Sequence, residues 1–160
     1  MRLLPAYLRR LPLRAPCFAR CANGGVNGCD EKREGKARMI HIVGAGSGAA
    51  DLITLRGARL LRAADVVVWA GSLVNPELLA ECKESCIVYD SAYMTLEEVL
   101  DVMCAADARG EEVVRLHTGD PCLYGAIQEQ MDALDARGVD YEVVPGVSSF
   151  CGAAAALRQE

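Results

Sequence analysis

Short apolar runs alternate with helical patterns from Met39 to the end of the chain. Runs rich in Val, Ile and aromatic residues predict strands, and apolar residues three or four positions apart predict helices. The predicted strands are Met39 to Val43, Val66 to Trp69, Ile87 to Tyr89, Glu112 to His117 and Tyr141 to Val144. The predicted helices lie near 54–63, 76–82, 95–109, 122–137 and 148–157. This alternation predicts an α/β fold in which a five-stranded, mainly parallel sheet is flanked by helices.

One predicted helix has clear signals at both ends. Thr95 followed by Glu98 forms a capping box at the start of the helix over 95–109. Gly110 supplies the usual stop.

Charge divides the 160 residues into two parts. Residues 1–38 carry nine Lys/Arg against three Asp/Glu, and the remaining 122 carry eight against nineteen. Because the first part also contains three prolines and an Asn/Gly cluster, we expect a disordered basic leader outside the fold. We favour translated upstream sequence over an organelle transit peptide, since Met39 directly precedes the first strand. Deleting residues 1–38 should then leave thermal stability unchanged.

The body, residues 39–160, reads as one acidic domain. Its excess of carboxylates makes it a poor nucleic-acid binder, because neutralising phosphates needs basic side chains. No apolar stretch reaches the length of a membrane span, so we expect a cytoplasmic protein without a membrane partner.

The eight cysteines do not follow a metal-binding pattern. Cys82 and Cys86 are four apart with no matching second pair, three others fall in the leader, and the remaining three stand alone. We therefore expect reduced thiols and no metal site.

The stretch from Arg115 to Gln130, RLHTGDPCLYGAIQEQ, places a polar loop between a strand and a helix. α/β proteins bind ligands at such strand ends, so a ligand would meet Gly119, Asp120 and the start of that helix. By itself, Asp120 is better explained as the N-cap of the helix.

A nucleophilic site in this loop is not supported. His117 and Cys122 are five residues apart, but the chain has no G-x-S-x-G elbow. Both His41 and His117 lie in apolar strands, which favours packed histidines with one polar partner.

A second glycine-containing loop, Gly44 to Asp51, follows the first strand and matches G-x-G-x-x-A. A dinucleotide fold would place an acidic residue at the end of the second strand, which here ends in Trp69 and Ala70. No Gly-Lys-Ser/Thr follows the glycines, so a P-loop is excluded as well. Two interpretations of this segment remain. It is a loop whose glycines let a ligand or another loop approach the backbone closely, or it is a tight strand-to-helix turn.

Three segments together resemble one family. In order and spacing, VGAGSGAADLITLRGARLL (43–61), VRLHTGDPCLYGAIQEQ (114–130) and YEVVPGVSSF (141–150) are similar to the N-terminal domain of the tetrapyrrole methylases. Within that family, WAGSLVNPELL (69–79) resembles the members that methylate C11 of precorrin-4 or cobalt-precorrin-4. The resemblance implies methyl transfer from S-adenosylmethionine to a ring carbon of a corrin precursor in cobalamin synthesis. Siblings that act on another ring carbon share the glycine loop and stay an alternative.

The resemblance also implies which residues hold the methyl donor, while it assigns no catalytic residue. The implied cofactor-binding residues are Gly46, Ser47, Thr118, Gly119, Asp120, Leu123, Ser148 and Ser149. Ser47 stands where the family usually has proline, so the first loop departs from the pattern.

Family members continue with a second α/β domain, and the cofactor lies between the two. We therefore expect a truncated N-terminal domain with half of the cofactor pocket, from an enzyme that is a homodimer at full length. Two interpretations stay open. The chain is a fragment of a working methyltransferase, or it is a catalytically silent domain with apolar surface left open.

Overall fold

A computed structural model describes residues 39–160; the predicted leader and its cysteines lie outside the described residues. The five strands are β1 (Ile40–Gly44), β2 (Val66–Trp69), β3 (Ile87–Asp90), β4 (Val113–His117) and β5 (Tyr141–Val144). They form one sheet in the order β3-β2-β4-β1-β5, and every neighbouring pair is parallel. The predicted α/β fold is confirmed, with strand bounds that differ from the prediction by at most one residue.

Four α-helices connect or follow the strands: α1 (Leu55–Ala63), α2 (Leu96–Ala108), α3 (Gln128–Ala136) and α4 (Ser149–Leu157). Three short 3-10 segments accompany them, at Ala50–Leu52, Pro76–Glu81 and Ser91–Tyr93.

The capping box at the start of α2 is confirmed. The Glu98 amide donates to Thr95 Oγ1 at 3.2 Å, and the Thr95 amide donates to Glu98 Oε2 at 2.8 Å. At the other end Gly110 has a φ of 77° and its amide donates to the Asp107 carbonyl at 2.8 Å. Two backbone amides at the start of α2 and one carbonyl at its end, which a helix leaves unsatisfied, are thus paired, and this explains why the helix was predictable.

The predicted helix over 122–137 is present, but its predicted start is wrong, because α3 begins only at Gln128. Tyr124 and Ala126 adopt left-handed backbone angles, with φ of 58° and 49°. A right-handed helix cannot pass through such residues. The predicted helix over 76–82 also differs, since Pro76–Glu81 is a 3-10 helix.

The core consists of two apolar layers, one on each face of the sheet. On one face, Val43, Val67 and Leu116 pack with Leu61 of α1. On the other, Val66, Val68 and Val113 pack with Met103 of α2 and Leu134 of α3. In contrast, α4 contributes no buried residue.

The chain leaves the neighbouring strands β1 and β4 in opposite directions along the sheet. From β1 the chain crosses toward the β3 edge through α1, and from β4 it crosses toward the β5 edge through α3 on the other face. The carboxyl ends of β1 and β4 therefore flank a topological switch point, the place where open α/β sheets bind ligands.

Candidate functional site

The loops after β1 and β4 are joined directly across the switch point. The Gly46 amide donates to the Gly119 carbonyl at 3.2 Å, and the Gly119 amide donates to the Gly46 carbonyl at 2.9 Å. Both glycines have positive φ, 86° and 58°, which other residues adopt only with strain. The two glycine loops found in the sequence thus form one structural unit.

The loop after β5 closes on the same point. A Cβ atom built on Gly44 would lie 2.6 Å from the Gly119 carbonyl oxygen and 2.7 Å from Gly146 Cα. No side chain fits at Gly44, because these neighbours are backbone atoms. Of the two interpretations of the first glycine loop, close approach by another loop is the one that the geometry supports.

Asp120 holds the β4 and β5 loops together through its carboxylate. Oδ1 accepts from the Cys122 amide at 2.8 Å, and Oδ2 accepts from the Gly146 amide at 3.0 Å. The helix N-cap interpretation of Asp120 is wrong, since α3 starts eight residues later. Asp120 instead caps a turn with one oxygen and fixes the neighbouring loop with the other.

The helix that lies beside Gly119 is α4. A Cβ on Gly119 would lie 3.6 Å from the Ser149 amide nitrogen. Ser148 is the N-cap of α4, where its Oγ accepts from the Phe150 amide at 3.2 Å. The predicted strand-end loop and the predicted serine pair are therefore brought together.

The remaining predicted site residues differ in the exposure and direction of their side chains. Thr118 and Ser149 are exposed, and Leu123 is 56% exposed. Ser47 is different, because its Oγ is buried without a hydrogen-bond partner among the described residues and lies where a Cβ on Gly152 would come within 2.6 Å. Its hydroxyl is directed at α4.

The WAGSLVNPELL segment is tied to the first glycine loop. Asn75 Nδ2 donates to the Gly48 carbonyl at 3.0 Å, while Asn75 Oδ1 accepts from the Glu77 amide at 3.0 Å. On the β3 side, Asp90 Oδ1 accepts from the amides of Gly71 and Ala92 at 3.1 and 2.9 Å. The loops after all five strands are thus fixed by specific polar contacts.

His117 and Arg115 form the electrostatic centre beneath these loops. Burial, together with the nearby charge of Arg115, lowers the pKa of His117 to about 3, so this imidazole is neutral at neutral pH. Burial lowers the pKa of Arg115 to about 10, which leaves it cationic. His117 is packed as predicted, but its Nε2 has no hydrogen-bond partner within residues 39–160.

His41 lies elsewhere, near the amino end of β1. Its Nδ1 is 2.8 Å from Glu142 Oε1, and its Nε2 is 3.5 Å from Glu112 Oε2. It is buried, as predicted, although it has two acidic neighbours rather than one.

Within the described residues, no group of three His, Cys, Asp or Glu side chains is arranged to hold a metal ion, and all five cysteines are free. The hydrogen bond between Cys82 and Cys86 lowers the pKa of the first thiol and raises that of the second. None of the helices in this range has the length and apolar character needed to cross a membrane.

A model of the Tetrapyrrole (Corrin/Porphyrin) Methylases matches residues 39–160, the whole range in which these loops occur. The chain belongs to this family. The cobalt-precorrin-4 C(11)-methyltransferase of Methanocaldococcus jannaschii is 52% identical over 123 residues, which cover 77% of this chain and 48% of that protein. The precorrin-4 C(11)-methyltransferase of Mycobacterium tuberculosis is 50% identical over 121 residues, covering 76% and 48%. The chain thus spans about half the length of the curated relatives it matches.

Solved tetrapyrrole methylase structures agree with this fold. The X-ray structure of a cobalt precorrin-4 methyltransferase superposes with a TM-score of 0.75 at 50% identity, over 77% of this chain and 52% of that one. A uroporphyrin-III C-methyl transferase from Thermus thermophilus, complexed with S-adenyl homocysteine, gives a TM-score of 0.61 at 34% identity, over 72% and 48%.

Gly44 and Gly146 were not among the predicted site residues, although Gly44 begins the first glycine loop and Gly146 lies in the segment 141–150. Each is a glycine within two residues of a strand end, and that position was the available signal. The two glycines are far from Gly119 in the sequence, so no local pattern indicated that both would lie against its carbonyl group.

Proposed function

We propose that residues 39–160 form the N-terminal domain of a methyltransferase that uses S-adenosylmethionine to methylate C11 of precorrin-4 or cobalt-precorrin-4. The relatives at 50–52% identity carry these activities in their names. The observation that carries the proposal is the union of three loops at the switch point by the Gly46–Gly119 pair and the Asp120–Gly146 hydrogen bond. The three segments that resemble the family's N-terminal domain, 43–61, 114–130 and 141–150, all contribute to it.

The groups that stay accessible after this packing suit the methyl donor in part. Thr118, Ser148 and Ser149 offer hydroxyl and backbone groups for its polar ends, and Leu123 offers apolar surface for its adenine. Ser47 does not fit, since its hydroxyl is directed at α4. We therefore omit Ser47 from the residues proposed to bind the donor.

The chemistry requires positioning more than acid-base catalysis. A sulfonium methyl group is already activated, so the donor supplies the reactive carbon. The task of this domain is to hold that group in line with the ring carbon and to keep water away. His117 is buried and neutral, so it offers no exposed acid or base for the transfer.

Titration calorimetry tests the binding half of the proposal on the 160-residue chain. We expect S-adenosylmethionine to bind with micromolar affinity, and Ser149→Ala to weaken that binding several-fold. Ser85→Ala is the matched control, because Ser85 is also an exposed serine but lies in the loop before β3. Absence of binding at millimolar donor would favour the silent-domain interpretation.

Methyl transfer itself is tested with cobalt-precorrin-4 and a donor that carries a ¹³C methyl group. NMR of the product should place the label on C11. A label on another ring carbon would assign the chain to a sibling activity. The expected homodimer of the full-length protein stays a prediction that sedimentation can check.

A further inference from the structure

Arg115 is a buried cation that has no counter-ion within the described range, residues 39–160. Its side chain points from β4 into the layer beneath α2 and α3, and only 7% of the residue is exposed. Nε donates to Gln130 Oε1 at 3.2 Å, and Nη1 donates to the Val68 carbonyl at 3.2 Å. Both acceptors are neutral, and no ion pair within residues 39–160 includes Arg115. Buried charges in proteins are normally paired, so this guanidinium needs an explanation.

Arg115 also lines a cavity of about 170 Å³. This volume corresponds to that of about five or six water molecules in the liquid, enough for a small polar group with a short hydrocarbon chain. The other lining residues are Ser91, Met94, Thr95, Leu96, Val99 and Gln130. The lining contains one cation and no anion.

We propose that this cavity binds a single carboxylate group, with Arg115 as its counter-ion. The planar guanidinium matches a carboxylate through two parallel hydrogen bonds. Thr95 Oγ1 accepts from the Glu98 amide and keeps its own proton to donate, whereas the Ser91 hydroxyl already donates to the Trp69 carbonyl at 3.0 Å. Met94, Leu96 and Val99 form an apolar wall suited to the attached methylene groups. A phosphate dianion fits this lining less well, because only one positive charge is present.

This inference does not rest on methyl transfer. Two sources present the same chemistry, a small free acid such as propionate and a carboxylate arm of a tetrapyrrole. The cavity is separate from the donor residues, since none of Thr118, Ser148 and Ser149 lines it.

The test is the thermal unfolding midpoint of the 160-residue chain at constant ionic strength, with chloride replaced stepwise by propionate. At a concentration twenty times the dissociation constant, the midpoint should rise by about 7 °C. Arg115→Met should abolish the rise, and its own midpoint should equal or exceed that of the parent, because it removes an uncompensated buried charge. Arg109→Met is the control, since Arg109 is exposed and pairs with Glu111.

Leu96→Trp gives a second, independent variant. Leu96 is 38% exposed at the first turn of α2, so a larger side chain can cover the cavity without disturbing the core. We expect this variant to fold normally and to lose the propionate effect. An equal rise in the parent and Leu96→Trp would overturn the proposal, as would the absence of any rise in the parent. A larger rise with inorganic phosphate than with propionate would overturn the assignment to a carboxylate.

Uroporphyrin, a tetrapyrrole with several carboxylates, distinguishes the two sources. Stabilisation at micromolar uroporphyrin that is lost in Arg115→Met and Leu96→Trp would identify a tetrapyrrole arm as the ligand. Stabilisation by propionate alone would identify a small free acid. Because neither readout uses S-adenosylmethionine, failure of this proposal is distinguishable from failure of the proposed function.

Discussion

Replacing Asp120 by Asn should release the loop after β5. The carboxylate accepts two hydrogen bonds, from the Cys122 amide and from the Gly146 amide. An Asn side chain has one oxygen and one NH₂ group, so it can accept only one of them. The other backbone amide then faces the NH₂ group of Asn, which is also a donor, and no hydrogen bond forms. If the turn keeps the oxygen, the loop at Gly146 loses its contact.

The magnitude follows from the burial of Asp120. A hydrogen bond to a charged group contributes about 1.5–3 kcal/mol, and a buried donor without an acceptor costs about 1–3 kcal/mol. Asp120 is half-buried, so we take the lower part of these ranges, about 1–2 kcal/mol. For a folded part of 122 residues, 1 kcal/mol corresponds to about 4 °C in the unfolding midpoint. The expected fall is about 4–8 °C.

Thermal unfolding followed by circular dichroism measures this fall. Asp132→Asn is the matched control, because Asp132 is exposed and its Oδ1 accepts from Gln128 Nε2 at 2.6 Å, which Asn also permits. That variant should stay within about 2 °C of the parent. In addition, Asp120→Asn should weaken S-adenosylmethionine binding about tenfold, since Ser148 and Ser149 follow the released loop. A midpoint equal to that of Asp132→Asn would refute the structural role of the Asp120 carboxylate.

Three further predictions concern stability. Gly44→Ala should lower the free energy of unfolding in urea by about 3 kcal/mol, because its Cβ would collide with backbone atoms. Gly138→Ala is the control: a Cβ there has open space, so only the strain of its positive φ, roughly 1 kcal/mol, is expected. Equal losses in the two variants would contradict this prediction. Thr95→Ala should cost about 1 kcal/mol through loss of the α2 cap, and Thr95→Ser should cost less than half as much in the same assay. Burial lowers the pKa of His117 to about 3 in the folded chain. Below pH 6.5 this histidine is therefore protonated in the unfolded chain but stays neutral in the folded chain, so stability falls as the pH is lowered. Between pH 6.5 and 4.5 the parent should therefore lose about 2 kcal/mol more than His117→Gln, and parallel pH profiles would show that His117 does not contribute.

Most of the fold could be predicted from local patterns. Apolar runs located the five strands to within one residue, and the alternation with helices implied a parallel sheet. The start of α3 was the failure. Ile127, Met131 and Leu134 have helical spacing, and this pattern was extended back to Cys122 without allowance for the left-handed residues Tyr124 and Ala126. Non-glycine residues adopt that conformation where surrounding contacts impose it, so no local pattern announces it.

The candidate site was predictable as a set of segments but not as an arrangement. The order and spacing of three segments indicated the family, and the family model covers the same range. Ser47 was placed among the donor-binding residues because of its position in the loop. Only the packing against Gly152 shows that its hydroxyl is directed away.

The sequence by itself determined the class of fold, the positions of the strands and the family, because these depend on periodicities and motifs that are local in the chain. The tertiary structure decided which atoms meet. The contacts of Gly44 with Gly119 and Gly146 and the hydrogen bond from Gly146 to Asp120 join residues that are 26 to 102 positions apart. Arg115 likewise meets Gln130 and the Val68 carbonyl, but no anion within residues 39–160. Such contacts depend on the strand order β3-β2-β4-β1-β5, which brings β1, β4 and β5 side by side. Local pattern carries no record of that order, since the same alternation of strands and helices is compatible with several.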